Sequence, residues 1–511
     1  MWLINADTGR LEQFNDDRIL PPFATLSHTW GNKKEEVTMQ EYLSLENTPN
    51  PELEQRPGYL KIVATRRQAL QERDFLVERA KKDYERLKPE CRAAIRLRQL
   101  KQHDEAARLG NPKLANPVYV WVDTVCIDKT SSAELYEALN SMFRWYRKAQ
   151  MCFAYLEDFD ASTTVHFEHR LRQVRWFKRG WTLQELIAPR TMDFFDKYWL
   201  CEVGPGAFGD KYSLAPKLAR ITRIDEAVLT GQRRLGSVSI AKRMSWAANR
   251  KTTKEEDIAY CLLGLFDLTM DLRYGEGAKA FVRLQEEIAR THDDQSLFAW
   301  EPDNLIASRL INQPAIRPEE GLSVFASHPR HYLSTADICH WDSWGDPPTI
   351  GNKGAKIVVP LYKVDARFVG GRYSDRLFND TRNLKDIYLV PLNCTDRGDI
   401  SYCPAIVVLH VTQDQFIRHP TARLLWIRES YVDHKSAKLW PIYLCKKSPS
   451  GLGYSSFTDY LRQSNTAFKS KPCVPTWYER NPVPESKRFE RCARRTPEAP
   501  STSVMGLELD A

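Results

Sequence analysis

The chain has 511 residues, which is too long for one ordinary hydrophobic core and predicts two or three domains. An apolar fraction of 42% and 14 Trp residues argue against wholesale disorder. The net charge of +8 is small for this length, so it gives little support to nucleic acid or an anionic membrane as a partner. Because the sequence has no secretory start and no run of 18 apolar residues, we predict no membrane span and a cytoplasmic location. Eleven Cys residues without a CxxC pair indicate reduced thiols.

Strand-like and helix-like patterns alternate through the first 200 residues. Phe23–Ser27 predicts a short strand, and Val118–Val122 is a near-continuous apolar run, typical of a strand buried on both faces of a parallel sheet. Met151–Leu156 and Met192–Phe195 predict two more strands. The helices predicted between them are Gly58–Gln71, Ala133–Lys148 and Trp181–Ile187. This alternation predicts an α/β fold with a doubly wound parallel sheet.

A charged segment interrupts the series before the second strand. Glu72–Gly110 is rich in Glu, Lys, Arg and Ala, and Pro89 divides it. We therefore predict two amphipathic helices that form a hairpin, inserted at about residues 72–116. The mixed signs of the charges favour a solvated surface over a surface for a partner or nucleic acid.

The pattern changes again after residue 198. Lys217–His292 is helical in character, whereas short β-type runs between Gly, Pro, Asn and Asp turns begin near Trp300. Beyond Pro475 the chain is rich in Pro, Arg and Ser, which predicts a disordered tail. The predicted units are an α/β core over residues 1–198, a helical extension over 199–300, a β-rich domain over 301–475 and a tail over 476–511.

Three polar patches follow predicted strands or begin a predicted helix. They are Ser27–Gly31, Asp123–Asp128 and Trp181–Glu185. Because the carboxyl ends of parallel strands meet at one edge, these patches should converge. A hydroxyl, an imidazole, carboxylates and two indoles would suit a ligand with a flat ring and ribose hydroxyls. The candidate residues are Ser27, His28, Trp30, Gly31, Asp123, Asp128, Trp181 and Glu185.

Each candidate also has a structural interpretation. Thr182–Glu185 reads as a T-x-x-E capping box, like Ser131–Glu134 and Thr253–Glu256, so Glu185 is either a helix cap or a catalytic carboxylate. His28 suits a satisfied buried polar group. The same holds for the remaining candidates: Asp123 and Asp128 suit turns or caps, and Trp30 and Trp181 suit the core.

Other common chemistries find little support in the sequence. Cys126 has no evident His partner, which disfavours a thiol nucleophile. No phosphate-binding loop of the GxxxxGK[ST] type occurs, and His and Cys show no metal-ligand spacing. We therefore predict no resident metal or cofactor.

Three sequence blocks resemble the signature blocks of the fungal heterokaryon-incompatibility (HET) domain. They are Ala24–Gly31 (ATLSHTWG), Val120–Lys129 (VWVDTVCIDK) and Arg179–Leu186 (RGWTLQEL). Further blocks extend the resemblance, in family order, over roughly residues 1–300: Asn140–Tyr146, Asp257–Gly264, Tyr274–Gly277 and Asp293–Leu297. The long Glu72–Gly110 segment departs from the usual pattern.

The resemblance implies a fungal self/non-self recognition protein whose domain triggers cell death. The family is in turn distantly similar to Toll/interleukin-1 receptor (TIR) domains, which implies a TIR-like or flavodoxin-like sheet. In NAD-cleaving TIR domains the glutamate at this helix start is catalytic, and here it would be Glu185. NAD would then be a substrate, cleaved to nicotinamide and an ADP-ribose product, as by an NAD nucleosidase. The alternative is a non-enzymatic module that self-associates or binds an upstream recognition protein.

Overall fold

The computed structural model describes residues 1–16, 19–86, 118–199, 208–301, 323–340, 347–363, 387–397, 399–412, 414–418, 424–428 and 439–445. A seven-stranded sheet, in the order β2-β1-β4-β3-β5-β6-β7, forms the centre of the N-terminal part. Its strands are β1 (Trp2–Asn5), β2 (Leu11–Gln13), β3 (Phe23–His28), β4 (Tyr119–Trp121), β5 (Met151–Tyr155), β6 (Met192–Phe195) and β7 (Gly209–Asp210). The four strands predicted from the sequence are confirmed, whereas β1, β2 and β7 were not predicted.

The four central strands are parallel and the flanking strands are antiparallel. Strand β3 pairs in parallel with β4 on one side and with β5 on the other, and β5 pairs in parallel with β6. The chain therefore reverses its direction of winding at β3, and the carboxyl ends of β3 and β5 flank the switch point, where ligands bind in open α/β sheets. Every residue of β3 is buried, because both faces of this strand are covered.

Helices connect these strands, and one of them corrects a prediction. The connecting helices are α1 (Met39–Asn47), α2 (Pro51–Glu54), α3 (Pro57–Arg86), α4 (Ser132–Lys148), α5 (Phe167–Gln173) and α6 (Thr182–Ile187). The prediction of a separate helix that begins at Glu72 is wrong, because α3 runs through that position without a break. No Gly or Pro occurs between Gly58 and Pro89, so nothing in the sequence ends the helix. The second half of the predicted hairpin lies outside the described residues.

The helical character predicted after Lys217 is confirmed. The helices are α7 (Ala215–Thr222), α8 (Glu226–Leu229), α9 (Ile240–Ser245), α10 (Asp257–Tyr260) and α11 (Lys279–Thr291). Helix α10 ends at Tyr260, and a 3-10 turn follows at Leu263–Leu265. Residues 258–263 are all buried, so tertiary packing decides their conformation. Among the described helices, none is both long and apolar enough to cross a membrane.

The C-terminal part is rich in β-structure, as predicted. Its strands are β8 (Ile338–His340), β9 (Thr349–Gly351), β10 (Gly354–Pro360), β11 (Tyr362–Lys363), β12 (Ile387–Pro391), β13 (Cys394–Asp396), β14 (Tyr402–Thr412), β15 (Gln415–Arg418), β16 (Leu425–Arg428) and β17 (Leu439–Leu444). The described pairings are antiparallel except for a short parallel contact between β15 and β17. The predicted tail lies outside the described residues, and the domain boundaries stay predictions.

Candidate functional site

Ser27 and Glu185 meet in the interior at the carboxyl edge of the sheet. Ser27 Oγ, near the end of β3, donates a 2.6 Å hydrogen bond to Glu185 Oε2 on α6. The Trp176 indole Nε1 donates to the same Ser27 oxygen at 2.9 Å. Ser27 and Trp176 have no exposed surface, and Glu185 is only 4% exposed. The structure therefore joins two of the predicted site residues through a sealed hydrogen-bond chain.

Glu185 is not part of a capping box, so the helix-cap interpretation of this residue is wrong. The N-cap of α6 is Trp181, with no side-chain capping bond. Thr182, predicted as the cap, already lies inside the helix, and its hydroxyl is within hydrogen-bond distance of the Trp176 carbonyl, at 2.5 Å. The Glu185 carboxyl therefore makes no capping bond and accepts a hydrogen bond from Ser27 instead.

The other two predicted capping boxes differ from each other. Ser131 caps α4 by accepting a hydrogen bond from the Glu134 amide. The Thr253 box is wrong, because α10 has Glu256 as its N-cap and no side-chain capping bond. Glu256 instead accepts hydrogen bonds from the amides of Gly275 and Gly277, so its carboxylate is used to hold a turn.

The surroundings of Glu185 favour its neutral form. Burial raises the pKa of Glu185 to about 8, and the negative charge of Asp123 acts in the same direction. The Ser27 hydrogen bond and the charges of Arg179 and Arg250 oppose this rise in the pKa without cancelling it. Tyr146 and Cys152 also interact with this carboxyl. The surroundings of this carboxyl therefore favour its protonated form over the ionised one.

A second cluster surrounds His28 at the same sheet edge. His28 Nδ1 lies 3.9 Å from Asp123 Oδ1, and Nε2 lies 3.9 Å from Glu36 Oε2. Lys61 Nζ forms an ion pair with Glu36 Oε1 at 3.0 Å. Burial by itself would raise the pKa of Glu36, but hydrogen bonding and charge from His28, the charge of Lys61 and the Gly31 amide lower it to about 2. Glu36 is therefore a fixed, buried negative charge.

Trp30 covers the outer side of this cluster. Its indole Nε1 donates to Asp123 Oδ2 at 2.9 Å, and Lys129 Nζ lies 3.9 Å from the ring centroid. Trp30 is 41% exposed, so the expectation of a core position is wrong for this residue. Asp123 connects the two clusters. It contacts His28 and Trp30, and its negative charge raises the pKa of Glu185.

The remaining predicted candidates have local partners of their own. The Gly31 amide donates to Glu36 Oε1 at 2.7 Å. Asp128 Oδ1 accepts from the Thr130 amide and from Gln40, which fits the turn interpretation. Trp181 Nε1 donates to Asp257 Oδ2 at 3.2 Å. Within the described residues, Asp128 and Trp181 make these bonds and none to Ser27, His28, Asp123 or Glu185.

Several residues of the site were missed in the sequence. Glu36 lies in a charged stretch that reads as solvated surface, and Lys61 is a charged residue of the predicted helix Gly58–Gln71, yet both are buried. Trp176 and Arg250 precede or follow the recognised blocks and reach the site only through tertiary contacts. Cys126 is fully enclosed, and burial raises the pKa of its thiol to about 12, which makes it a poor nucleophile.

Comparisons with known proteins match two separate stretches of the chain to family profiles. The family profile described as "Heterokaryon incompatibility protein (HET)" matches residues 23–175, and a profile described as a domain of unknown function, DUF8212, matches residues 279–340. The vegetative incompatibility protein HET-E-1 of Podospora anserina is 36% identical over 277 residues. That alignment covers 53% of this chain but only 16% of the relative's length. No solved structure matches the chain.

Proposed function

Because the chain is a heterokaryon-incompatibility (HET) domain protein, we propose that it is a fungal incompatibility effector that triggers cell death. We propose further that its α/β core does so by cleaving the bond between nicotinamide and ribose in NAD. The observation that carries this second step is the buried Glu185 carboxyl, which accepts a hydrogen bond from Ser27 at the carboxyl edge of the sheet.

The sheet topology supports a TIR-like or flavodoxin-like core. The four parallel strands lie in the order β4-β3-β5-β6, which is 2-1-3-4 in chain order, as in flavodoxin-type sheets. Ser27 and His28 end the strand at the switch point. A nucleotide in this crevice would reach the end of β3, and the exposed Trp30 ring offers a surface on which a flat base can stack.

The chemistry follows from the charge that develops on the ribose. As the C1′–N bond breaks, nicotinamide leaves with the bonding electrons, and the ribose acquires oxocarbenium character. An ionised Glu185 would stabilise this positive charge, and Ser27 would orient the carboxylate through the hydrogen bond it already makes. Water then adds to C1′ and releases a proton. Since Glu185 is 4% exposed and its burial favours the protonated form, this reaction requires an opening that uncovers the carboxyl and lets it ionise.

The burial of Glu185 also favours a second function without chemistry. A carboxyl enclosed by Ser27, Trp176 and Tyr146 fits a structural bond that joins α6 to β3. The domain would then signal by association with a second copy or with an upstream recognition protein.

Nicotinamide release separates the two functions. Purified full-length protein is incubated with NAD, and the same variants are expressed in fungal cells to measure killing. Glu185→Gln keeps the shape of the side chain, and Glu137→Gln is the matched control because Glu137 is exposed on α4. We expect nicotinamide release and killing by the parent and by the control, and neither by Glu185→Gln. Killing by folded Glu185→Gln would favour the association module.

A further inference from the structure

A segment of the helical extension forms hydrogen bonds with the turn that precedes Glu185. The Gly180 amide donates to the Lys251 carbonyl at 2.9 Å, and the Lys251 amide donates to the Lys178 carbonyl at 2.7 Å. Arg179 Nη1 donates to Thr253 Oγ1 at 2.9 Å. Residues 250–253, which we call the clamp, therefore lie alongside residues 178–182 over their whole length.

The clamp explains why position 180 is a glycine. A Cβ atom at this position would lie 2.5 Å from Thr252 Cγ2 and 3.2 Å from Cys261 Sγ. The first distance is far inside van der Waals contact, so the two segments can approach this closely only if residue 180 has no side chain. The glycine in the RGWTLQEL block is therefore a packing requirement of the clamp.

Arg250 is the buried end of the clamp. Its Nη1 donates to the Arg179 carbonyl at 2.8 Å and to Thr182 Oγ1 at 2.9 Å, so it holds the first turn of α6. The residue is 3% exposed, and burial lowers the pKa of its guanidinium to about 10, which leaves it charged at neutral pH. Its Nη2 is buried and has no hydrogen-bond acceptor within the described chain. An unpaired donor on a buried cation is costly, which indicates a role beyond packing.

We propose that Arg250 is a positioning residue for Glu185, and that its buried charge compensates the Glu185 carboxylate when this group ionises. Through the clamp, Arg250 fixes the helix from which Glu185 projects. Its positive charge also interacts with Glu185, as does that of Arg179, against the negative charge of Asp123. The catalytic part of this inference rests on the proposed NAD cleavage, whereas the electrostatic part does not.

The ionisation of Glu185 tests the charge directly. The Glu185 carboxyl is titrated by infrared spectroscopy of full-length protein labelled with carbon-13 at glutamate, and its band is assigned by its loss in Glu185→Gln. Arg250→Lys keeps the charge, whereas Arg250→Gln keeps a donor but removes the charge. We expect Arg250→Gln to lower the ionisation constant of Glu185, and Arg250→Lys, which keeps the charge, to change it less.

The alternative outcomes are distinct. An unchanged Glu185 titration in folded Arg250→Gln, together with a lower melting temperature, would show a purely structural residue and overturn the proposal. If Arg250→Gln does not fold, the double variant Arg250→Gln/Glu185→Gln decides at about pH 9, where Glu185 would ionise. Restored folding supports charge compensation, and persistent unfolding overturns it.

Nicotinamide release gives the catalytic readout. If the parent protein cleaves NAD, the pH profile of Arg250→Gln should move in the same direction as the Glu185 titration. If the parent releases no nicotinamide, the proposed enzymatic function fails, yet the infrared titration still tests Arg250.

Discussion

Ser27 Oγ and Glu185 Oε2 are 2.6 Å apart although the residues lie 158 positions apart in the chain. This bond joins the central strand β3 to the short helix α6 inside a region that excludes solvent. Because burial favours the protonated form of the carboxyl, the hydroxyl and the acid can share the bond without an uncompensated charge. Glu185 would become charged only when the pH rises or its surroundings change, so the charge of this pair depends on pH.

Ser27→Ala should lower the stability of the protein more than the loss of one exposed hydroxyl would. The substitution leaves Glu185 without its donor and Trp176 Nε1 without its acceptor, both in the interior. We expect a loss of about 1–3 kcal/mol in the free energy of unfolding. The pKa of Glu185 should also rise above about 8, since the Ser27 bond lowers it. Ser162→Ala, on the surface, is the control, and urea unfolding measures the stability of both variants. Equal stability of the two variants would contradict a buried network.

Glu185→Gln should remove a pH dependence of stability. The pKa of Glu185 is raised from 4.5 to about 8 on folding, so its contribution is fully present below 4.5 and is lost as the pH rises through 8. One proton corresponds to a slope of about 1.4 kcal/mol per pH unit between these values. The difference in unfolding free energy between parent and variant, followed across this window, isolates the slope. A difference that stays constant with pH would show that Glu185 is already ionised in the native protein.

The parts of this site that the sequence predicted are those that depend on chain-local patterns. Apolar runs such as Val118–Val122 identify buried strands, and the strand-end rule then brings Ser27, Asp123 and Glu185 to one edge. The T-x-x-E pattern misled at Thr182, because the pattern cannot tell whether Thr precedes the helix or lies inside it. In the folded protein, tertiary hydrogen bonds of the Thr182 hydroxyl with Trp176 and Arg250 place this residue inside the helix.

Charged residues that become buried could not be predicted from their surroundings. Glu36 follows Lys33, Lys34 and Glu35, a run that reads as solvated loop. Its burial depends on Lys61, 25 positions later, whose ammonium neutralises it. No periodic pattern records such a pairing, since each charge by itself indicates an exposed position.

Lys61→Met should destabilise the protein strongly, because it leaves the buried Glu36 carboxylate without its closest cation. Breaking one partner of a buried ion pair typically costs about 3–5 kcal/mol. The double variant Lys61→Met/Glu36→Gln should recover a substantial part of this loss, because no buried charge is left unpaired. Denaturant unfolding of the two single variants and the double variant forms a mutant cycle. Additive losses would show that the two side chains do not depend on each other.

The acid limit of stability should also depend on Glu36. Its pKa is lowered to about 2, so its contribution is present above the unfolded value of 4.5 and is lost as the pH falls through 2. In Glu36→Gln this loss should disappear, and the variant should gain stability relative to the parent as the pH falls below 4.5. Unfolding free energies measured between about pH 2 and pH 6 test this sign. A gap between parent and variant that widens on acidification would contradict it.

Gly180→Ala should disrupt the clamp through a single methyl group. The new Cβ would meet Thr252 Cγ2 at 2.5 Å, so the turn and residues 250–253 must separate. We expect a loss of about 1–3 kcal/mol, the usual cost of overpacking, together with a change in the Glu185 titration because α6 moves. Thr252→Ser removes the obstructing methyl group but keeps the hydroxyl that donates to the Lys254 carbonyl at 2.6 Å.

The double variant Gly180→Ala/Thr252→Ser should therefore regain much of the lost stability, and Thr252→Ser by itself should cost less than Gly180→Ala. Cys261 Sγ, 3.2 Å from the new Cβ, would keep the rescue incomplete. Melting temperatures of the four proteins give the coupling between the two sites. A rescue that also returns the Glu185 titration to its parental position would tie the geometry of the clamp to the carboxyl. No rescue would mean that Gly180 is required for contacts other than the one with Thr252, such as that with Cys261 Sγ.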